Sequence, residues 1–126
     1  MSGLTTSEPI DFVHLARYTG GDAQLNAEVL ELFVQHCRES LQTLDRFSQT
    51  PDPKPWREAA HALKGSALGI GAFALAKAAG DAEAMDPFAE PERINGLLRS
   101  LRQCSAVVLT CIEDYLTEQV GKQKLA

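Results

Sequence analysis

One stretch, residues 56–70 (WREAAHALKGSALGI), constrains the fold more than any other part of the sequence. Most of its residues are good helix formers, and no β-branched residue precedes Ile70. At about 100° per residue, one side of such a helix collects the residues that suit a core: Trp56, Ala59, Ala60, Leu63, Ser66, Ala67 and Ile70. The stretch therefore predicts an amphipathic helix with this side turned towards the core.

His61 falls almost opposite the core side of this helix, so its imidazole is predicted to face solvent. The same exposed strip carries Arg57 one turn before His61, Lys64 and Gly65 one turn after it, and Leu68 two turns after it. A glycine inside a helix costs about 1 kcal/mol relative to alanine, and here it leaves a shallow notch beside the ring. These features predict a surface where another protein brings a phosphoryl donor to the ring nitrogen. A surface histidine beside an accidental glycine is the alternative interpretation.

The residues around and after His61 resemble those of a known family. The segment HALKGSA (residues 61–67), followed by GIGA (69–72) and an alanine-rich helix to Glu83, resembles the histidine-containing phosphotransfer (HPt) domains of bacterial and fungal phosphorelays. The resemblance is sharpest over residues 60–83, and the helices predicted before and after it suit the family's bundle. Family members often carry Gln where this chain has Glu83, so a neutral hydrogen-bonding role does not carry over to this position.

The resemblance implies roles for three residues of the exposed strip. His61 would accept the phosphoryl group, Lys64 would support it electrostatically, and Gly65 would let the partner approach. Arg57 and Leu68 complete the predicted docking surface. For an HPt-like domain the partners are receiver domains of response regulators or hybrid kinases. These partners would supply both the aspartyl phosphate and a divalent metal, Mg²⁺.

The length and composition fit one helical domain. A chain of 126 residues is enough for a single domain with a modest core. Seventeen Ala and sixteen Leu against four Ile and six Val favour helices over sheets, and no alternating strand pattern stands out. The formal net charge is -5 and the acidic residues are scattered, so there is no broad basic surface for nucleic acid.

Five helices are predicted along the chain. They cover residues 10–18, 22–48, 55–70, 72–85 and 91–120. Their ends are predicted from glycines and prolines, and Asp22 is the predicted N-cap of the second helix. Prolines at 51, 53 and 55 predict a stiff extended connection before the third helix, and Gly69 and Gly71 predict a tight reversal after it. In the second helix, one strip is predicted to widen the buried arc: Leu25, Val29, Leu32 and Phe47. Gly121 is predicted to end the last helix.

Four long amphipathic helices joined by short loops predict an all-α fold, an up-down-up-down four-helix bundle with the short N-terminal helix as a lid. The bundle is expected to span residues 10–120, between a flexible N-terminus (1–9) and a C-terminal tail (121–126). The first residues lack a basic segment and an apolar run, and no hydrophobic run approaches membrane-spanning length. The protein is expected to be cytoplasmic and monomeric, without a membrane partner.

The remaining candidate residues indicate no second site. His14, His36 and His61 lie on three different predicted helices, and no common metal, hydrolase or nucleotide motif is present. Cys37, Cys104 and Cys111 are odd in number and widely spaced, which is typical of small core side chains rather than of a zinc or redox pair. We therefore predict no metal site and no cofactor belonging to the chain itself.

Without the parts to bind ATP, the chain is predicted to be a phosphocarrier rather than an enzyme. It would accept a phosphoryl group on His61 from one receiver and pass it to another. The alternative is a non-catalytic helical-bundle adaptor that binds a signalling partner through Arg57, His61 and Leu68. Incubation with a phosphorylated receiver separates the two hypotheses, because only the carrier gains an acid-labile, base-stable phosphate.

Overall fold

The structure, a computed structural model, describes residues 8–88 and 91–125. Within these ranges the chain forms five helices and no strand: α1 (Phe12–Thr19), α2 (Ala23–Gln49), α3 (Pro53–Ile70), α4 (Phe73–Glu83) and α5 (Pro91–Leu125). The N-terminus that is predicted to be flexible, residues 1–9, lies outside the described part except for residues 8 and 9. None of the described helices is long and apolar enough to cross a membrane.

The four long helices close into a ring. α3 packs against α2 and α4, and α5 completes the ring by packing against the same two helices. The short α1 lies against α2 and α3. This arrangement confirms the predicted all-α, up-down-up-down four-helix bundle with an additional N-terminal helix. Among the described residues α5 does not pack against α3, so those two helices occupy opposite corners of the bundle.

The core side of α3 is the predicted one. Its fully buried residues are Trp56, Ala60, Leu63, Ala67 and Ile70, while Ala59 and Ser66 are half-buried at the edges. Facing them, α4 buries small side chains, including the predicted Ala76 and Ala79. Small side chains let two helices approach closely. The indole Nε1 of Trp56 also donates a hydrogen bond to the carbonyl oxygen of Ala82 on α4, at 2.8 Å.

Two capping residues set where α1 and α2 begin. Asp22 caps α2 as predicted, because its side chain accepts a hydrogen bond from the amide of Leu25 at 2.8 Å. Asp11 caps α1 in the same way, through the amide of His14 at 3.1 Å. The amide of Asp11 in turn donates to the carbonyl oxygen of Gly71 at 2.9 Å, which attaches α1 to the turn between α3 and α4.

Gly71 is the residue that ends α3. It has a φ of 80°, in the left-handed region that favours glycine, and a Cβ at this position would lie 2.7 Å from the carbonyl oxygen of Asp11. Gly69, by contrast, is still inside α3, so only one of the two glycines makes the predicted reversal. Gly71 alone is enough to end α3, because its amide donates to the carbonyl oxygens of Ala67 and Leu68 at the end of the helix.

The predicted proline connection is shorter than expected. α3 begins at Pro53 instead of Pro55, with Asp52 as its N-cap. Pro53 and Pro55 therefore lie in the first turn of α3, where the missing amide hydrogen would have had no helical partner. The prediction that Gly121 ends the last helix is also wrong, because α5 continues to Leu125. A lone glycine costs a helix about 1 kcal/mol and does not by itself end it.

The widened apolar arc predicted for α2 is only partly correct. Val29 and Phe47 pack against the core, but Leu25 and Leu32 remain 40% and 52% exposed. The helix that could cover this side, α1, has only eight residues, so it leaves part of the strip open. The narrower predicted face is confirmed: Leu30, Phe33, Cys37 and Leu44 are buried, with Val34 and Leu41 packed beside them.

The three cysteines are free thiols. Cys37 is buried, and Cys104 and Cys111 are half-buried against the core, which agrees with their prediction as small apolar side chains. Burial raises the pKa of the Cys37 thiol and of the Cys111 thiol above the ordinary value. Both therefore remain protonated near neutral pH, and a protonated thiol is a poor nucleophile and metal ligand.

Candidate functional site

His61 lies in the middle of α3 with 69% of its side chain exposed. The other residues of the predicted strip are exposed as well: Arg57, Gly65 and Leu68, the last at 44%. Lys64 is half-exposed, because it points from the strip towards α4. The periodicity of α3 therefore predicted correctly that this side of the helix is exposed.

A residue from α4 joins two of these side chains. Glu83, the last residue of α4, places Oε2 at 2.8 Å from Nδ1 of His61 and Oε1 at 2.9 Å from Nζ of Lys64. Each carboxylate oxygen thus has its own partner on α3. With 24% of its side chain exposed, Glu83 is the least accessible member of the three. His61, Lys64 and Glu83 form the candidate site, which we call the His–Lys–Glu cluster.

The contact with Glu83 determines which ring nitrogen of His61 is available. An ionised carboxylate can only accept hydrogen bonds, so Nδ1 of His61 carries the hydrogen and donates it to Glu83. In a neutral imidazole the other nitrogen, Nε2, then has its lone pair free. Within the described part of the chain Nε2 has no hydrogen-bond partner. The ring nitrogen with an available lone pair is therefore Nε2.

The charge state of Glu83 follows from the same two contacts. Hydrogen bonds from Lys64 and then from His61 hold the pKa of the Glu83 carboxyl below its ordinary value. Glu83 is therefore negatively charged at neutral pH. The Lys64 ammonium lies against that charge in the resting protein, which restrains a long side chain that would otherwise be free in solvent.

Two glycines lie beside the cluster. A Cβ on Gly80, one turn before Glu83, would lie 3.4 Å from Cδ of Lys64, an ordinary van der Waals contact, so the aliphatic stem of Lys64 passes close to Gly80. A Cβ on Gly65 would meet no atom within 4 Å, so the predicted notch beside His61 opens directly to the surface. Gly65 therefore leaves the approach to the ring unobstructed.

The other two histidines do not join the cluster. His14 is half-buried, with its ring edge-to-face against Phe73 at a centroid distance of 5.1 Å, and His36 is exposed on α2. Glu58 lies one turn before His61 on α3, and such a Glu-x-x-His pair occurs in the metal sites of some helical bundles. The described residues nevertheless contain no group of three His, Cys, Asp or Glu side chains that could hold a metal ion.

Sequence reasoning missed the role of Glu83. The resemblance pointed to position 83 but suggested an amide there, and it left the function of a carboxylate open. Nothing in the sequence indicated that Glu83 contacts both His61 and Lys64, which lie on a different helix.

The candidate site is thus an exposed histidine on a four-helix bundle, with a lysine one turn on and an acid from the next helix. The family model of the Hpt domain matches residues 28–118, which is more than half of the chain. The chain therefore belongs to the HPt family, whose domains serve two-component phosphorelays as phosphocarriers and interact with receiver domains.

A solved structure has the same fold. It is the histidine-containing phosphotransfer protein B (HptB) from Pseudomonas aeruginosa PAO1, similar with a TM-score of 0.77 and 24% sequence identity. The alignment covers 86% of this chain and 94% of HptB. At this identity the likeness shows the fold alone. A search of curated proteins found no match to the chain.

Proposed function

We propose that this chain is a phosphorelay intermediate that accepts a phosphoryl group on Nε2 of His61 from a receiver-domain aspartate and passes it to a second receiver. The observation that carries the proposal is the exposed imidazole whose Nδ1 is occupied by Glu83 and whose Nε2 is free. Membership of the HPt family supplies the reaction class. The docking surface that we propose consists of Arg57, Gly65 and Leu68 around His61.

The chemistry is a nucleophilic displacement at phosphorus. The lone pair of Nε2 forms the N–P bond while the O–P bond of the aspartyl phosphate breaks, and its electron pair returns to the aspartate carboxylate. Such transfers depend mainly on in-line positioning and on stabilising charge on the phosphoryl oxygens. Lys64 is the nearby cation for that purpose. The partner would contribute Mg²⁺, since oxygen ligands beside a phosphate are the usual magnesium site.

The test is transfer from a phosphorylated receiver to the purified chain. We expect the chain to gain a phosphate that survives base and is lost in acid, the behaviour of a phosphoramidate, whereas an aspartyl phosphate is lost in base. A second receiver should then remove the label. Association with the phosphorylated receiver without any gain of label would contradict the proposal and favour the adaptor hypothesis.

Lys64→Ala tests the electrostatic role of the lysine. Removing a charge worth about 1.4 kcal/mol in the transition state should slow transfer about ten-fold, measured by single-turnover labelling of His61. Lys64→Arg should have a smaller effect, because it keeps the positive charge. Arg99→Ala is the matched control, since it removes an exposed cation from α5, which does not pack against α3. Equal rates for Lys64→Ala and the parent would remove Lys64 from the site.

Gly65→Gln tests the notch. The fold should be kept, because a side chain at this position meets open space, and replacing a helical glycine should raise the free energy of unfolding by up to about 1 kcal/mol. Transfer should nevertheless fall, because the glutamine fills the approach to His61. Gly96→Gln is the matched control, an exposed glycine on α5 with equally open surroundings. Transfer at the parental rate in Gly65→Gln would show that no partner uses the notch.

Leu68→Asp tests the apolar part of the same surface. Because Leu68 is 44% exposed, the substitution should leave the melting temperature close to that of the parent while weakening association with a receiver. Val107→Asp on α5 is the control, since Val107 is an exposed apolar residue on the helix that does not pack against α3. If Leu68→Asp unfolds the protein, Leu68 belongs to the core and not to the docking surface.

A further inference from the structure

A groove runs along the outer side of α5. Residues 106–118 form its floor, which is about 18 Å of helix. One wall is apolar and consists of Pro9 and Phe12, and the Phe12 ring stacks on Tyr115 at a centroid distance of 5.2 Å. Among the described residues α5 does not pack against α3, so the groove lies at the corner of the bundle opposite the helix that carries His61.

The α5 side of this groove is acidic. Asp114 and Glu118 line it one turn apart, and two like charges at this spacing destabilise a helix. Burial, and then the negative charges of Asp114 and Glu8, raise the pKa of the Cys111 thiol, so both carboxylates lie close to this part of the groove. In the described part of the chain neither the Asp114 nor the Glu118 side chain has a hydrogen-bond or ion-pair partner. The groove therefore suits a basic surface.

The first half of the same helix carries the complementary charge. Residues 91–104 contain three arginines and one glutamate, whereas residues 105–120 contain three acids and neither Lys nor Arg. Arg102 is already paired with Asp45 on α2. Arg99 is exposed and has no ion-pair partner within the residues that the structure describes, so its charge is available to another molecule.

The surface beside Arg99 is small enough to enter a groove. Gly96 and Ser100, one turn apart, are both exposed. A Cβ on Gly96 would meet no atom within 4 Å, so no neighbouring element covers this part of α5. Small residues let a second helix approach closely. The basic half of α5 therefore has the shape and the charge that the acidic groove lacks.

An antiparallel pair of α5 helices brings the two surfaces together. Ser100, Val107 and Asp114 are each seven residues apart, so they share one side of the helix, and Val107 is 56% exposed. With a two-fold axis at Val107, Ser100 faces Asp114 of the second copy, and the neighbouring Arg99 reaches the same carboxylate. The symmetry repeats this contact at the other end, and the two Val107 side chains meet on the axis.

We propose that this chain forms a two-fold symmetric dimer in which α5 of each copy lies antiparallel in the acidic groove of the other. The inference goes beyond the proposed function and does not rest on it, and it differs from the monomer expected from the sequence. A contact of one helix with another is small, and interfaces below about 1,200 Å² are typical of weak complexes. We therefore expect a dissociation constant on the order of 10–100 µM.

The dimer leaves the candidate site open. Because α3 and α5 occupy opposite corners of the bundle, the two His61 rings face away from the paired helices. Transfer from a receiver should therefore proceed alike in the dimer and in single copies, and substitutions on α5 should change self-association without changing transfer.

The test is sedimentation equilibrium of the parent and of two charge-reversal variants, Arg99→Asp and Asp114→Arg. Each variant alone places like charges together at both ends of the pair, so each should raise the dissociation constant at least about ten-fold. An equimolar mixture of the two variants should dimerise with a dissociation constant within about two-fold of the parent's, because each reversed charge then meets an opposite charge. Recovery in the mixture also shows that both variants are folded.

Glu31→Arg and Arg38→Asp are the matched controls for the charge reversals. They make the same changes of charge at exposed positions of α2. Each of them alone should dimerise like the parent, because neither residue lies on the outer side of α5.

Val107→Cys tests the position of the two-fold axis. The Cα atoms of a disulfide are usually about 4.4–6.8 Å apart, so two copies should be cross-linked under mild oxidation only if this position lies on the axis. Thr117→Cys is the matched control, because Thr117 is equally exposed on α5 but its two copies would lie about 30 Å apart. The parent, oxidised in parallel, accounts for the three native cysteines.

A parent that remains monomeric at about 1 mM would overturn the inference and leave the groove to a basic segment of another protein. So would a mixture that associates no better than its separate variants, a loss of association in either α2 control, or equal cross-linking of Val107→Cys and Thr117→Cys. None of these measurements involves phosphate, so their failure is distinct from a failure of the proposed function.

Discussion

Replacement of His61 by Gln is expected to abolish phosphorylation of the chain completely while leaving its helicity and melting temperature close to those of the parent. Most of the His61 side chain is exposed and none of it belongs to the core, so the free energy of unfolding should change by no more than about 0.5 kcal/mol. Glutamine is a good helix former but has no nucleophilic nitrogen. Labelling from a phosphorylated receiver and circular dichroism melting measure the two halves of this result.

The other two histidines are the controls for this experiment. His14→Gln and His36→Gln should be labelled like the parent, because His14 packs on Phe73 and His36 lies on α2, and neither contacts Glu83. Label that persists in His61→Gln, or that disappears in either control, would mean that the acceptor has been misassigned. Loss of helicity in His61→Gln would show instead that the imidazole supports the fold.

Trp56→Ala is expected to have the largest effect on stability, lowering the free energy of unfolding by about 3–5 kcal/mol. Trp56 is completely buried, and its indole also donates to the carbonyl oxygen of Ala82 at 2.8 Å. Small domains of this kind are stable by only about 5–15 kcal/mol, so the variant should lose a large fraction of its stability and melt well below the parent. Chemical denaturation followed by circular dichroism measures the change.

Trp56→Phe separates packing from hydrogen bonding at this position. It keeps most of the apolar surface but removes the donor, which should lower the free energy of unfolding by much less, with the hydrogen bond contributing about 1 kcal/mol. Ala82 directly precedes Glu83, so the hydrogen bond from Trp56 also helps to hold the end of α4 that presents Glu83 to His61. A loss below about 1 kcal/mol in Trp56→Ala would contradict the assignment of Trp56 to the core.

The sequence predicted the parts of this protein that depend on local periodicity. The spacing of Trp56, Leu63 and Ile70 determined which side of α3 is buried, and therefore that His61 is exposed. The predicted helix ends were less accurate where a glycine or a proline could lie either inside a helix or just outside it. Pro53 begins α3 instead of preceding it, and Gly121 lies within α5 instead of ending it. Local residue types restrict the backbone at such positions, but the packing of the whole helix decides between the alternatives.

The assembly of the site depends on how the helices pack against each other. His61 and Glu83 are 22 residues apart on different helices, and periodicity assigns faces to each helix without determining how far one helix slides or rotates against the other. Those two quantities depend on the close approach of α3 and α4 over small side chains such as Ala79, and on the hydrogen bond from Trp56 to Ala82. The residue pattern of α3 alone predicts an exposed histidine with a lysine one turn away. The packing of α3 on α4 brought Glu83 to Nδ1, because a contact between two helices depends on their relative position, which neither segment specifies alone.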